Sequence, residues 1–567
     1  MQSGRTPPAG GLSAWGSGGS FAGLSQWAES REIKEKQYRT NMITAVRIKN
    51  LRSLVDTGFI EIKPITLLLG ANSTGKSTFL RSFPLYTQSV NKNLRGPISW
   101  FDDSLVDFGD YSTALNKFAG EGETIEFEYK ITQPVMGRMR RPYRGGYYDY
   151  YFVREFKEAL LSFSLNNDQK GTYINAVKII VSGLTFKAEI ADRGAKIQFS
   201  VNDQPVEVEQ SIRLDARSYG SILPEFEFNQ SDFRNSDVPP SIHFIIFNQV
   251  LNFVKQRSDR RLKKHEGVEV IFEKWDKDKK CFLYELKNNI TIISFKKYVS
   301  KWTEDSSEFI QLYNMIALTR LEPLWDVLDT ELSAFYSSCS YIAPTRAEAN
   351  RYYRTQGLQV SDIDPYGKNL SEFISSLTPM MLNSYNRYTQ DILGVSVRTK
   401  TETGHHSIMV SKDDREFNIT DIGFGYSQIL PIVTKLWFAT NRRMVRTRGI
   451  SFRDYGKSTI LMEQPELHLH PAYQAKIADA FINSVKSTID EETSLYNLNL
   501  ITETHSDTIL NRIGRRVREG IIKPEDVNII LFEKGAGENV THVRQTTFNE
   551  KGQIKEWPYG FFDPEND

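Results

Sequence analysis

The sequence is nearly without cysteine. Cys281 and Cys339 are the two present in 567 residues, too few for a disulfide framework or a cysteine-built metal site, and a reducing cytoplasm is the expected location. No apolar run approaches the length of a membrane span, and no basic segment followed by an apolar core opens the chain, so no membrane partner is expected. No charge of one sign is left over either. With 71 basic and 70 acidic residues the formal net charge is +1, so any nucleic-acid contact must come from local patches. Sustained heptads and internal repeats are absent, which excludes a long coiled-coil arm. The remainder, 40% hydrophobic and 25% charged, is ordinary globular composition, with length for about three or four domains or for one domain with a large insertion.

Against these absences stands one complete pattern. Gly70-Ala71-Asn72-Ser73-Thr74-Gly75-Lys76-Ser77 fits G-x-x-x-x-G-K-[ST] without mismatch, directly after the apolar run Ile65 to Leu69. A strand running into glycines lets the backbone fold back, so that its N–H groups wrap a phosphate while the next helix turns its positive end to the same anion. The loop residues Gly70, Asn72, Ser73 and Gly75, with Lys76, Ser77 and Thr78 at the helix start, are therefore the expected ATP-binding set. Lys76 reaches the β- and γ-phosphates and the Ser77 hydroxyl holds Mg2+. The helix is expected from Ser77 to Val90, with Phe79, Leu80 and Phe83 on its apolar side.

Residues 1–41, rich in Gly, Ser and Ala, read as a disordered tail or an extension, and folded-looking sequence begins at Met42. Strand-like runs at 43–51 and 58–62 precede the loop. From 123 to about 208 the pattern is short strands, and helical spacing follows at 242–253 and 308–335. The last third alternates strands (458–462, 498–502, 527–532) with helices (473–485, 508–519), which implies a parallel sheet covered on both faces. The organisation expected is a tail at 1–41, one part of the main domain at 42–120, an α+β insertion at 121–335 and the second part at 336–567.

Three further stretches suit nucleotide chemistry. The apolar strand Thr459 to Met462 ends in Glu463, with Gln464-Pro465-Glu466 and Leu467 to Pro471 behind it, and an acid at a strand end can hold a metal's waters. Gly423-Phe424-Gly425-Tyr426-Ser427-Gln428 leads into an apolar helix, with Ser427 as its expected N-cap and Pro431 in its first turn. Thr502-Glu503-Thr504-His505-Ser506 closes the next strand, where His505 can reach a γ-phosphate.

The order of these elements resembles the ABC-type ATPase heads of the structural-maintenance and RecF group. More closely, it is similar to stand-alone AAA ATPases related to the OLD (overcoming lysogenization defect) proteins, in the branch with a DUF3696-type C-terminus. The residues that carry this are Tyr341 to Arg346, Gly423 to Pro431 and Trp557 to Asp563 besides the four motifs, and the likeness covers 42 to about 110 and 340 to 567. It implies an α/β fold, a P-loop ABC-type head with a mostly parallel sheet covered by helices. It also implies a head-to-tail dimer with ATP in the interface, gripped by Lys76 and Ser77 of one subunit and by Gly425 and Ser427 of the other. Relatives of the transporter type carry Asp then Glu where Glu463 and Gln464 stand. An amide thus replaces the usual base, so that Glu463 is the expected metal carboxylate and Glu466, His468 or His505 takes the proton, or turnover is slow. By the same analogy a separate effector is expected, an HNH-type nuclease or a toxin as in Septu or retron systems. The stretch after His505 is short for the nuclease domain that OLD proteins carry, and no nuclease centre is expected in the chain. A DNA-repair ATPase and a non-catalytic ATP-bound scaffold remain the alternatives.

Arg138 to Tyr151 interleaves four arginines with five tyrosines, which suits either single-stranded DNA or RNA or an aromatic and arginine anchor on a protein partner. Basic clusters at 255–265 and 442–453 suit solvated faces or a nucleic-acid backbone. His468 and His470 lack a third ligand at useful spacing and are expected to hydrogen-bond beside the nucleotide. His405 and His406 are expected in an exposed turn.

Overall fold

Thr66 and Leu68 alternate with Ile65, Leu67 and Leu69, so both faces of this strand need cover. The computed structural model describes residues 43–132, 156–209, 212–215, 219–229, 240–258, 267–355, 360, 362–402, 404–441, 457–489, 497–534 and 540–556. The segments 1–41, 138–151, 442–453 and Trp557 to Asp563, and most of the 255–265 cluster, lie outside those residues.

The strands β1 (Ile43–Leu51), β2 (Leu54–Asp56) and β3 (Ile60–Glu61) lead to β4 (Ile65–Gly70), and the helix α1 (Lys76–Val90) follows the loop. Then come β5 (Ile125–Thr132), β6 (Glu158–Asp168), β7 (Gly171–Val181), β8 (Leu184–Ala191), β9 (Lys196–Val201) and β10 (Gln204–Val206). These form one antiparallel sheet in the order β10-β9-β8-β7-β6-β5-β1-β2, with β3 beside β1. The strands read as an insertion are therefore continuous with β1 to β3. A ribbon of β11 (Ile212–Asp215) and β12 (Glu225–Phe228) precedes helices that include α2 (Ile242–Gln256), α3 (Ser307–Leu318) and α4 (Leu321–Ser337). The helical spacing over 308–335 is thus two helices, parted at Thr319 and Arg320.

The second sheet gathers strands from both ends of the chain. After β13 (Cys339–Ile342) a small four-stranded sheet is made by β14 (Tyr353–Arg354), β15 (Ser396–Glu402), β16 (His405–Lys412) and β17 (Arg415–Asn418). His405 and His406 open β16 rather than occupying a turn, and His406 Nδ1 lies 3.0 Å from Thr401 Oγ1. The helix α5 (Phe424–Thr440) leads to β18 (Lys457–Glu463), α6 (Pro471–Ile489), β19 (Asn497–Glu503), α7 (Asp507–Arg518), β20 (Val527–Lys534) and β21 (Thr541–Thr546). The order is β13-β18-β19-β4-β20-β21, parallel throughout except for β21. Strand β4 is thus inserted between two strands from the C-terminal third, and the Glu61 N–H donates to Gln545 Oε1 at 2.9 Å across 484 residues of sequence.

Two cores flank this sheet. Leu68, Leu461, Ile501, Ile530 and Phe532 face α1 and the antiparallel sheet. Ile65, Leu67, Leu69, Ile460, Met462 and Leu500 face α5 and α6. The alternation is what a parallel sheet buried on both faces requires, and the chain is α/β with the P-loop at the carboxyl end of a central strand. In the first core Phe79, Phe83 and Tyr86 of α1 interlock with Phe127, Phe163 and Tyr336, the rings of Tyr86 and Phe127 meeting edge to face at 4.9 Å. Among the described residues no helix is long and apolar enough to cross a membrane.

Candidate active site

The phosphate loop turns sharply for a steric reason. Gly70 has φ +152°, and a Cβ there would stand 2.3 Å from the Phe532 carbonyl oxygen of β20, so only glycine lets the strand end against its neighbour. Ser73 and Gly75 take φ of +62° and +99°, and Lys76 begins α1 one residue earlier than the pattern suggested. No side chain caps this helix. Lys76 curls onto its own loop, its Nζ donating to Gly70 O at 2.9 Å and Ala71 O at 2.7 Å. The ammonium is almost wholly buried; burial lowers its pKa, with Glu503 opposing. Ala71, Asn72 and Ser73 are exposed at the rim, and Ser77 and Thr78 are half-buried on the first helical turn.

Opposite that turn two carboxylates sit side by side, because β18 and β19 are parallel with Glu463 in register with Glu503. Ser77 and Arg81, one turn apart on α1, each face one of them. Ser77 Oγ donates to Glu503 Oε2 at 2.7 Å, and Lys76 Nζ lies 3.9 Å from Glu503 Oε1. Arg81 grips Glu463 with both prongs, Nε to Oε1 at 2.6 Å and Nη2 to Oε2 at 2.7 Å, and the Tyr341 hydroxyl adds a bond to Oε1 at 2.8 Å. Burial raises the pKa of Glu503, with the Ser77 bond opposing.

The chain behind β18 forms the other wall. Gln464 takes a left-handed φ of +42° and its N–H donates to Glu503 O at 2.8 Å. Arg346, 2% exposed, holds this turn from beneath, with Nη1 donating to Pro344 O and Gln464 O and Nη2 to Pro465 O and Leu467 O. Glu466 accepts from Thr504 Oγ1 at 2.9 Å and from the His505 N–H at 2.7 Å, and burial raises its carboxyl. Burial, and then Lys76, lowers the His505 imidazole. His468 packs against the Phe424 ring, while His470 Nδ1 accepts from the Ala472 N–H and so serves the start of α6. Asn72, Gln464, Glu466, Leu467, His468 and His505 converge on one open cleft of about 650 Å³, so the loop, the β18 turn and the histidine of the next strand meet as their order suggested.

The glycine-rich helix start differs from expectation in two details. Gly423, at φ +111°, occupies the N-cap position of α5 and no side chain caps it. Ser427 lies inside the first turn with its Oγ donating to Phe424 O at 2.6 Å, so it is not the cap. Pro431 lies in the helix interior rather than the first turn, where its ring packs against Gly367. The tip that reaches solvent is Gly423 and Phe424, with Gly425 half-buried beside Leu469. Within one subunit this tip adjoins the β18 turn, and Ser427 lines a small separate cavity of about 80 Å³.

The donor set suits a hard cation held jointly with a nucleotide. Among the described residues no cluster of three or more His, Cys, Asp or Glu could hold a metal alone. What is present is the Ser77 hydroxyl with one or two carboxylates, the oxygen set that leaves Mg2+ to complete its shell with phosphate and water. Arg81, Arg346 and Glu503 carry none of the roles that sequence reasoning assigned. For Glu503 the available signal was that two apolar strands end in glutamate at the same edge of a parallel sheet.

A family model described as an AAA ATPase domain matches residues 42–510, and one described as a protein of unknown function (DUF3696) matches residues 522–567. No curated protein matches the chain. Among solved structures, the SMC head bound to the C-terminal winged-helix domain of ScpA is similar at 12% identity, over 89% of this chain and 98% of that one, with a TM-score of 0.34. The SMC head domain from Thermotoga maritima is similar at 8% identity, over 88% and 98%, with a TM-score of 0.30.

Proposed function

Because the chain belongs to the AAA ATPase domain family, we propose that it is a slowly hydrolysing, ATP-dependent dimeric switch. The observation that carries the reading is the single cleft onto which Asn72, Gln464, Glu466 and His505 converge beside the uncapped start of α1. In this reading Lys76 leaves the Gly70 and Ala71 carbonyls for the β- and γ-phosphates of ATP, and the loop N–H groups of 71–76 take the rest of the charge. Mg2+, when bound, would supply charge neutralisation at the phosphates, and Ser77 with a carboxylate at the end of β18 or β19 would hold it.

The second half-site comes from another copy of the chain. The N-terminus of α5 is uncapped, and its Gly423–Gly425 tip is a ready anion site for a partner's γ-phosphate, so ATP joins two subunits and its loss releases them. Ser427 supports that tip through its bond to Phe424 O. Slow turnover follows from Gln464, whose amide can hold a water but cannot take its proton. Glu466 is the best-placed base in the cleft, since burial makes its carboxylate more basic than usual. His505 orients rather than titrates, because burial and Lys76 keep it neutral.

The resemblance to the OLD group supports placing this switch in a bacterial anti-phage system, controlling a separate effector such as an HNH-type nuclease or toxin. The Lys76→Ala variant is expected to lose ATP binding and with it the ATP-dependent dimer, read by calorimetry and by light scattering with and without ATP. Affinity equal to wild type would remove the proposal.

A further inference from the structure

Two glutamates compete for one task at the carboxyl edge of the parallel sheet. Motif order gives the cation to Glu463, but the side chains do not divide that way. Glu463 is enclosed by three charge-assisted or hydroxyl bonds, two from Arg81 and one from Tyr341, and both of its oxygens are engaged. Reaching Ser77 would require breaking a two-pronged guanidinium bridge from the half-buried Arg81 to a buried carboxylate. Glu503 has no such clamp. Its Oε2 already accepts from the Ser77 hydroxyl at 2.7 Å, its Oε1 stands 3.9 Å from Lys76 Nζ, and it lies one strand nearer to β4 and the phosphate loop.

We infer that Glu503 is the carboxylate that shares the nucleotide's divalent cation with Ser77, and that Glu463 is a positioning residue that anchors α1 through Arg81. The inference rests on the ATP reading above and deepens it. The hydroxyl and the carboxylate already lie within one hydrogen bond of each other, as two oxygen ligands on neighbouring corners of a coordination shell must. The paired arrangement also explains why α1 carries Ser77 and Arg81 on one face, the first for the cation and the second to fix the helix against β18. A plain counter-ion role for Glu503 beside Lys76 is the competing account, and it predicts no dependence of metal affinity on this residue.

The test uses the full chain, with Mn2+ as the probe and a non-hydrolysable ATP analogue. Free Mn2+ is counted by electron paramagnetic resonance, and analogue affinity is measured separately in EDTA. Glu503→Gln is expected to weaken Mn2+ in the ternary complex by about tenfold or more while analogue affinity in EDTA stays within about threefold of wild type. Glu463→Gln is expected to hold Mn2+ within about threefold and to lower the melting temperature instead. Should Glu503→Gln fail to fold, Glu503→Asp, one methylene shorter, is expected to weaken Mn2+ in the same sense. Wild-type Mn2+ affinity in the folded Glu503 variant, or a tenfold loss in Glu463→Gln with Glu503→Gln unaffected, overturns the inference. Failure of the wild-type chain to bind the analogue in either condition overturns the ATP reading itself and leaves a different signature.

Discussion

Replacing Arg346 tests how the turn behind β18 is held. Its guanidinium donates to four carbonyls, those of Pro344, Gln464, Pro465 and Leu467, at 2.9 to 3.3 Å. Bonds from a charged donor contribute about 1.5 kcal/mol each at the low end, roughly 6 kcal/mol for the four. Against this stands the burial that brings the group down to about 10, roughly two and a half pH units below an ordinary arginine and about 3.4 kcal/mol of desolvation. The difference, about 2 to 3 kcal/mol, is what Arg346→Met is expected to remove from the turn. At about 1.36 kcal/mol per decade the open population of the turn rises about 30- to 160-fold. Three amides report it, because the N–H groups of Gln464, Leu467 and Leu469 are bonded to Glu503 O, Gln464 O and Glu466 O. Hydrogen exchange read by mass spectrometry on peptides spanning 460–470 should accelerate by that factor, with peptides from β6 and β7 unchanged. Arg346→Lys should not rescue, since one ammonium cannot span four carbonyls in fork geometry. Unchanged exchange in both variants would refute the reasoning.

Gly425→Asp places a negative charge in the first turn of the uncapped α5, at a half-buried position where the nearest atom to an added Cβ is Leu469 Cδ2 at 3.8 Å. The helix dipole welcomes it by about 0.5 kcal/mol, so the fold should hold while ATP-induced dimerisation is lost, as sedimentation would show. Gln464→Glu restores a carboxylate to the water's side of the cleft, and steady-state phosphate release is expected to rise by about tenfold or more; no change would leave Glu466 as the working base. Asp329 accepts the N–H groups of Ile222 and Leu223, yet burial pushes its carboxyl up to about 7. A raised folded pKa gives stability that is complete below about pH 4 and is lost as pH climbs to about 7, by about 4 kcal/mol at most. Asp329→Asn keeps an acceptor without the charge, so its melting temperature should fall less between pH 5 and 8 than that of the native chain.

Much of the site was legible because local chemistry and tertiary position coincide there. The run Ile65 to Leu69 followed by glycines leaves few alternatives, and the strands ending in Glu463 and Glu503 were placed within a residue or two. Where the reading went astray, the cause lay in neighbours that no local pattern reveals. Ser427 had the type of an N-cap, but Gly423, with its positive φ, starts α5 four residues earlier. The antiparallel strands from Ile125 onward looked like an insertion because pairing with β1 is invisible to periodicity. Arg346 lay in a stretch that carries the family resemblance, yet its role depends on carbonyls more than a hundred residues away that only the folded turn brings together.

Strand β4 lies between β19 and β20, and this has a consequence during synthesis. When the ribosome releases the apolar segment Ile65–Gly70, neither flanking neighbour exists yet. Among the described residues the most distant tie, from Gln545 Nε2 to Phe59 O, spans 486 residues, which at about 5–20 residues per second is roughly half a minute to a minute and a half of translation. Throughout that interval the nascent polypeptide carries a sticky, unpaired hexamer that needs shielding, and a message cut short before its final stretch yields a product in which the lysine turn has nothing to brace it.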